Sequence, residues 1–136
     1  MIPAKGEKLN ITSSSDNIRL VERLVEDVCD VFNVNEDSYG NILIAVTEAV
    51  NNAIYHGNDG DPDKHIKIGF ESDEKNIKFS VSDEGDGFDY NSLPDPTDPL
   101  NLDKPHGRGV FLMKNLADNV EFKKDGREVL LTFNLN

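Results

Sequence analysis

The sequence is short of cysteine, of positive charge and of long apolar runs. A lone cysteine, Cys29, excludes an internal disulfide and any multi-cysteine metal site. Lys and Arg number 14 against 26 Asp and Glu, a formal net charge of −12 with His neutral. Nucleic-acid binders and proteins of anionic membrane surfaces both need a basic face, so neither partner is expected. No apolar stretch approaches ~18 residues and no charged-then-apolar leader opens the chain, which predicts a soluble, cytoplasmic protein. The charge also poses a question. If the ligand is an anion, something other than an abundance of bases must neutralise it.

What the chain does have is enough for one core. With 136 residues, 37% of them hydrophobic and 29% charged, it reads as a single globular domain spanning 1–136. Residues 6–12 alternate weakly and predict a short edge strand. Ser13 to Asp16 offer N-caps for a helix over 16–33, whose apolar residues recur at 18, 21, 24, 25, 28, 31 and 32. Cys29 sits on that pattern and reads as a packing residue. Asn35-Glu36-Asp37-Ser38 opens a second helix to about Tyr55, stopped by the turn residues 57–62. Residues 64–71 and 76–82 alternate, with Ile66, Ile68 and Phe70, then Ile77, Phe79 and Val81, on one face each. The polar link between them predicts an antiparallel hairpin covered on one side. Residues 83–106 hold four of the six prolines and seven acids before the first base, Lys104. They predict a long functional loop. A helix over 109–117 and strands near 119–124 and 128–135 complete the chain.

The second helix carries a polar stripe that folding does not demand. At ~100° per residue, Ile42, Leu43, Val46, Ala49, Val50, Ala53 and Ile54 share one arc. Asn41, Glu48, Asn52 and Tyr55 share the opposite one. Glu48 and Asn52 are four apart, so their side chains stand next to each other. Such a stripe is usually a solvated face. Here Glu48 lacks a lysine four residues on, and Asn51-Asn52 is a poor choice inside a helix. A carboxylate and an amide oxygen one turn apart suit a hard cation and a positioned nucleophile.

Two glycine motifs give the stripe a context. Asp83-Glu84-Gly85-Asp86-Gly87 ends the hairpin; it lacks the spaced ligands of an EF-hand and could otherwise be a plain acidic turn. Gly107-Arg108-Gly109 opens the last helix, where glycines permit close approach and free amides attract phosphate. Neither the Rossmann nor the Walker pattern fits.

The order of these features resembles the ATP-binding superfamily of histidine kinases, gyrase B, Hsp90 and MutL. Within it, Glu48-Ala49-Val50-Asn51-Asn52-Ala53 with His56-Gly57, and Gly107-Arg108-Gly109-Val110-Phe111-Leu112-Met113, resemble the anti-sigma-factor serine kinases. The resemblance implies an α+β two-layer sandwich, with a mixed, mostly antiparallel sheet backed by helices on one face. It also implies ATP and Mg²⁺ as ligands. Asn52 corresponds to the metal-binding asparagine and Glu48 to the general base on the attacking hydroxyl. Asp83 corresponds to the acceptor for the adenine amino group, with Gly85 and Gly87 letting the chain pass close to the base. Segment 89–106 corresponds to a lid, and Gly107 and Gly109 to its hinge, whose amides meet the phosphates. Lys104 and Arg108 flank that lid and read either as phosphate contacts or as surface charges. His56 reads as a structural cap; the role of His106 is open.

The implied partners are a sigma factor and an antagonist whose serine is phosphorylated. Family members often form homodimers, for which the apolar face of 16–33 is one available surface. About 15 residues precede the first helix, too few for a phosphoacceptor hairpin built of ~10–14-residue helices, so a standalone regulator is expected rather than a sensor histidine kinase. Two other readings stand beside it: a nucleotide-dependent binding module without catalysis, and a small acidic domain without a nucleotide site. The net −12 adds that binding should depend on Mg²⁺.

Overall fold

A computed structural model describes residues 5–73, 75–85 and 105–135, with the backbone alone at 5–8 and 105–108. The elements run β1 (Lys5–Thr12), α1 (Ile18–Val31), α2 (Glu36–Asn52), β2 (His65–Ser72), β3 (Asn76–Ser82), α3 (Pro105–Leu116), β4 (Asn119–Lys123) and β5 (Glu128–Asn134). The strands form one sheet in the order β1-β2-β3-β5-β4, and each of its four ladders is antiparallel. The architecture is α+β, as the motifs implied.

Alternation decides which sheet face is covered. Ile66, Ile68 and Phe70, then Ile77, Phe79 and Val81, then Val129, Leu131 and Phe133, are all buried, while their neighbours along each strand are not. Register reinforces this, pairing Ile68 with Val81, Phe70 with Phe79 and Phe79 with Leu131 across strands. Phe70 tilts against Phe32 and Phe79, with ring centroids 5.9 and 5.5 Å away. Each such side chain contributes about 1.5–3 kcal/mol by leaving water. The other face carries Lys67, Lys78, Ser80, Ser82 and Leu130 along a shallow groove.

The helices supply the second layer. Ser14 caps the short 3₁₀ turn that leads into α1, and Asn35 caps α2 by accepting the Ser38 N–H at 2.8 Å. Glu36 and Asp37 in the first turn of α2 suit its dipole. Val21, Val25, Val28 and Cys29 of α1 lie in the core, while Leu20 and Val31 of the same helix stay exposed. Burial, then the neighbouring Asp30, pushes the Cys29 thiol up to about 11, so it is a packing group and a poor nucleophile.

Two boundaries differ from the sequence reading. The last helix starts at Pro105 instead of 109. Proline was read there as a loop residue, yet the first helical position tolerates it because the N–H it lacks would have no partner. The second helix does not run evenly to Tyr55 either. It changes to a π-helical turn over Ala53–Gly57, closed by the Asn58 N–H on the Ala53 carbonyl at 2.8 Å. Among the described residues, no helix is long and apolar enough to cross a membrane.

Candidate active site

The π turn decides what meets what. It brings Gly57 directly against Asp83, which follows β3, and against Gly85. A Cβ on Gly57 would overlap the Asp83 carboxylate, and one on Gly85 would overlap the Gly57 carbonyl. Both glycines are therefore required by close approach. The Asp83 backbone N–H donates to the Arg127 carbonyl at 2.9 Å, which ties this turn to the β4–β5 connection. Asp83 Oδ1 accepts the Gly85 N–H at 2.8 Å.

These residues border a cleft between α2, α3 and the end of the sheet. Ala49, Ala53, Val81, Met113 and Val129 give it apolar walls, and Asn52, His56, Asp83 and Arg127 supply polar groups. A few convergent polar groups in an apolar cleft are the usual character of a small-molecule site. Burial raises the Asp83 carboxyl above the ordinary aspartate range; the Gly85 N–H, Arg127 and Lys64 oppose this without cancelling it. Asp83 is half-buried in the cleft lining, a setting in which a ligand's N–H donor is worth more to a carboxylate than in water.

Asn52 is the last residue of α2 and stands half-buried at the cleft. Across from it is Gly109 of α3, whose Cβ, had it one, would lie 2.9 Å from Nδ2 and 3.0 Å from Oδ1 of Asn52. The bare glycine leaves room for the amide. Glu48 is one turn earlier on α2, also half-buried. Because α3 begins at Pro105, Gly107 is in its first turn, where amides lack helical partners, and Gly109 is past it. Gly109 thus provides space for Asn52, and the free amides belong earlier. Gly87 and Lys104 lie outside the described residues, as do residues 89–104 of the lid read over 89–106; its last two residues, Pro105 and His106, belong to α3. Of Arg108 and His106 only the helical backbone is described.

Sequence reasoning missed three participants. Arg127 and Phe122 come to the cleft from the far end of the chain, and nothing local to either signals it. Asn58 read as turn chemistry, yet it is fully buried. Its Nδ2 donates to the His65 carbonyl at 3.1 Å, and its Oδ1 accepts the Glu84 N–H at 2.8 Å. The Glu84 carboxylate in turn accepts the His65 N–H.

The donor set also fits a hard cation. Among the described residues no three His, Cys, Asp or Glu form a metal cluster. Asn52 and Glu48 offer the oxygen type of which Mg²⁺ takes one or two, filling its other positions with phosphates and water.

A family model described as the histidine kinase-like ATPase domain matches residues 11–133. The chain is 29% identical over 133 residues to serine-protein kinase RsbW of Staphylococcus aureus strain JH9, covering 92% of this chain and 84% of that protein. The RsbW of strain Newman gives the same values. Among solved structures, the RsbU and RsbW domains of Rv1364c from Mycobacterium tuberculosis match with a TM-score of 0.58 and 16% identity, over 93% of this chain. Only 31% of that longer chain is covered, and at this identity the likeness is one of fold.

Proposed function

The chain belongs to the histidine kinase-like ATPase domain family, and from that premise we propose that it is an ATP-dependent serine/threonine protein kinase of the anti-sigma type. It would act as one domain over 1–136, in the cytoplasm, phosphorylating an antagonist protein and sequestering a sigma factor when the antagonist is modified. The observation that carries the nucleotide reading is Asp83: a desolvated carboxylate, oriented by the Gly85 N–H, on an apolar cleft that also holds Asn52.

In this reading the adenine lies between the apolar walls and donates its amino N–H to Asp83. Gly57 and Gly85 let the Asp83 turn pack closely against the end of α2 beside it. Asn52, held beside Gly109, would hold Mg²⁺ through its amide oxygen. The metal, when bound, supplies charge neutralisation to the triphosphate, which a chain of net −12 does not otherwise offer. The free first-turn amide at Gly107, with the cation of Lys104 or Arg108, meets the phosphates. Glu48 accepts the proton of the serine hydroxyl as its oxygen attacks the γ-phosphorus, the bond from that phosphorus to the β–γ bridging oxygen breaks, and ADP leaves. Phosphoryl transfer needs little beyond this positioning and charge stabilisation. The identity to RsbW proteins supports the kinase reading over simple nucleotide binding, since those relatives are named serine-protein kinases.

The test is transfer of labelled γ-phosphate from Mg-ATP to a candidate antagonist protein. Glu48→Gln should bind Mg-ATP normally and transfer ~10²-fold more slowly or worse. Equal rates in wild type and variant would remove Glu48 as the base. ATP binding with no transfer by the wild type would instead indicate a nucleotide-dependent binding module.

A further inference from the structure

The nucleotide site has two halves that come from different parts of the chain. Glu48 and Asn52 belong to α2, whereas Asp83 and Gly85 follow β3. One side chain bridges them. Asn58 is 0% exposed and both ends of its amide are used in that bridge. Its own N–H closes the π turn onto Ala53, which fixes it to the end of α2. Its Oδ1 holds the Glu84 N–H, the residue between Asp83 and Gly85, at 2.8 Å. Its Nδ2 holds the His65 carbonyl at the start of β2 at 3.1 Å. Seven residues separate Asn58 from His65 and 26 separate it from Glu84. A buried amide with both ends matched specifies geometry strongly, because either end left unpaired carries the full desolvation cost.

We propose that Asn58 is a positioning residue for base recognition. It sets where the Asp83 carboxylate stands relative to α2, and so decides whether the site can select an adenine amino group. Asn58 touches no ligand in this account; it acts by holding the Glu84 amide, and with it the backbone on which Asp83 and Gly85 are hung. The inference rests on the nucleotide reading above and goes beyond it in assigning base selectivity to a residue outside the cleft lining.

The readout is the ratio of ATP to ITP affinity, both as Mg complexes, measured by calorimetry. ITP carries a carbonyl oxygen where ATP carries the amino group that Asp83 would accept. Wild type should prefer ATP. Asn58→Ala should lose about tenfold of that preference, ~1.4 kcal/mol, while triphosphate-driven binding of ITP stays close to the wild-type level. Asn58→Asp keeps an acceptor oxygen at the Glu84 N–H and should retain the preference, with a lower melting temperature because the His65 carbonyl loses its donor; Asn58→Ser, too short to span both partners, stands in for alanine if that variant fails to fold. In an Asp83→Ala background the Asn58→Ala change should have no further effect on the ratio, as expected of two residues acting in series.

Parallel weakening of ATP and ITP in a folded Asn58 variant, with the ratio unchanged, would overturn the positioning role while leaving the nucleotide site intact. Failure of the wild type to bind either nucleotide would overturn both, and is distinguishable because the variants then differ in nothing but stability.

Discussion

Asp73 and Asp83 flank β3, one ahead of it and one directly after. Both make the same local turn: Oδ1 accepts a backbone N–H two residues on, from Lys75 for Asp73 and from Gly85 for Asp83, each at 2.8 Å. Their protonation biases are nonetheless opposite. The Lys75 and Asn76 N–H groups hold the Asp73 carboxyl below its ordinary range, because that side chain is exposed and its slight desolvation does not offset them. Asp83 has a comparable amide donor and is raised, because burial at the cleft outweighs it. The difference is one of surroundings. Asp73 closes a hairpin; Asp83 carries a poorly solvated charge that folding alone does not require, which is what a recognition site looks like energetically.

The largest effect should come from closing the space beside Asp83. Gly57→Ala puts a methyl into its carboxylate and should cut Mg-ATP affinity on the order of 10²-fold, as misplacement by about an ångström does. Gly40→Ala is the control. A Cβ there meets nothing within 4 Å, so the protein should gain ~0.5–1 kcal/mol of stability and bind ATP unchanged. Nucleotide titration beside thermal melting separates the two.

Acidification should produce a smaller, graded effect with two stages. The folded pKa of Asp83 is raised, so its ionised form costs stability at neutral pH, and that cost is relieved as pH falls through the folded value. Nucleotide affinity moves the other way, since the protonated carboxyl is a weaker acceptor. The folded pKa of Asp73 is lowered, so its contribution is complete above the unfolded value and is lost only as pH falls through the lower folded one. ATP affinity should therefore decline while the circular dichroism spectrum is still native. Loss of both at one midpoint would contradict the contrast.

The smallest effect is on stability alone. Asp83→Asn removes a poorly solvated charge while keeping an oxygen for the Gly85 N–H, so its melting temperature should be no lower than wild type. Asp73→Ala leaves two amides without their acceptor and should melt below it. A lower melting temperature for Asp83→Asn would mean that the charge at 83 serves the fold.

Much of this was legible before the structure, for identifiable reasons. Ile66, Ile68, Phe70 and Ile77, Phe79, Val81 alternate without interruption, so period and partner face follow from the pattern. Val21, Val25 and Val28 declare α1 in the same way. The Glu48–Asn52 pair was visible because its spacing is one helical turn. What was hidden depends on long-range geometry. Pro105 looks alike in a loop and at the first position of a helix. Gly57 and Asn58 look like turn residues in Gly-Asn-Asp-Gly, and their significance lies with Asp83, Glu84 and Gly85, more than 20 residues on. The π turn that aims them has no periodic signature, since it inserts one backbone irregularity after a regular helix.

The account stands most directly on a calorimetric titration of Mg-ATP into wild type, Asp83→Ala and Asp73→Ala. It predicts saturable binding by wild type and by Asp73→Ala with similar affinity, and roughly 10- to 10²-fold weaker binding by Asp83→Ala, the loss of a charged-acceptor hydrogen bond. Indistinguishable titrations from all three proteins would contradict it.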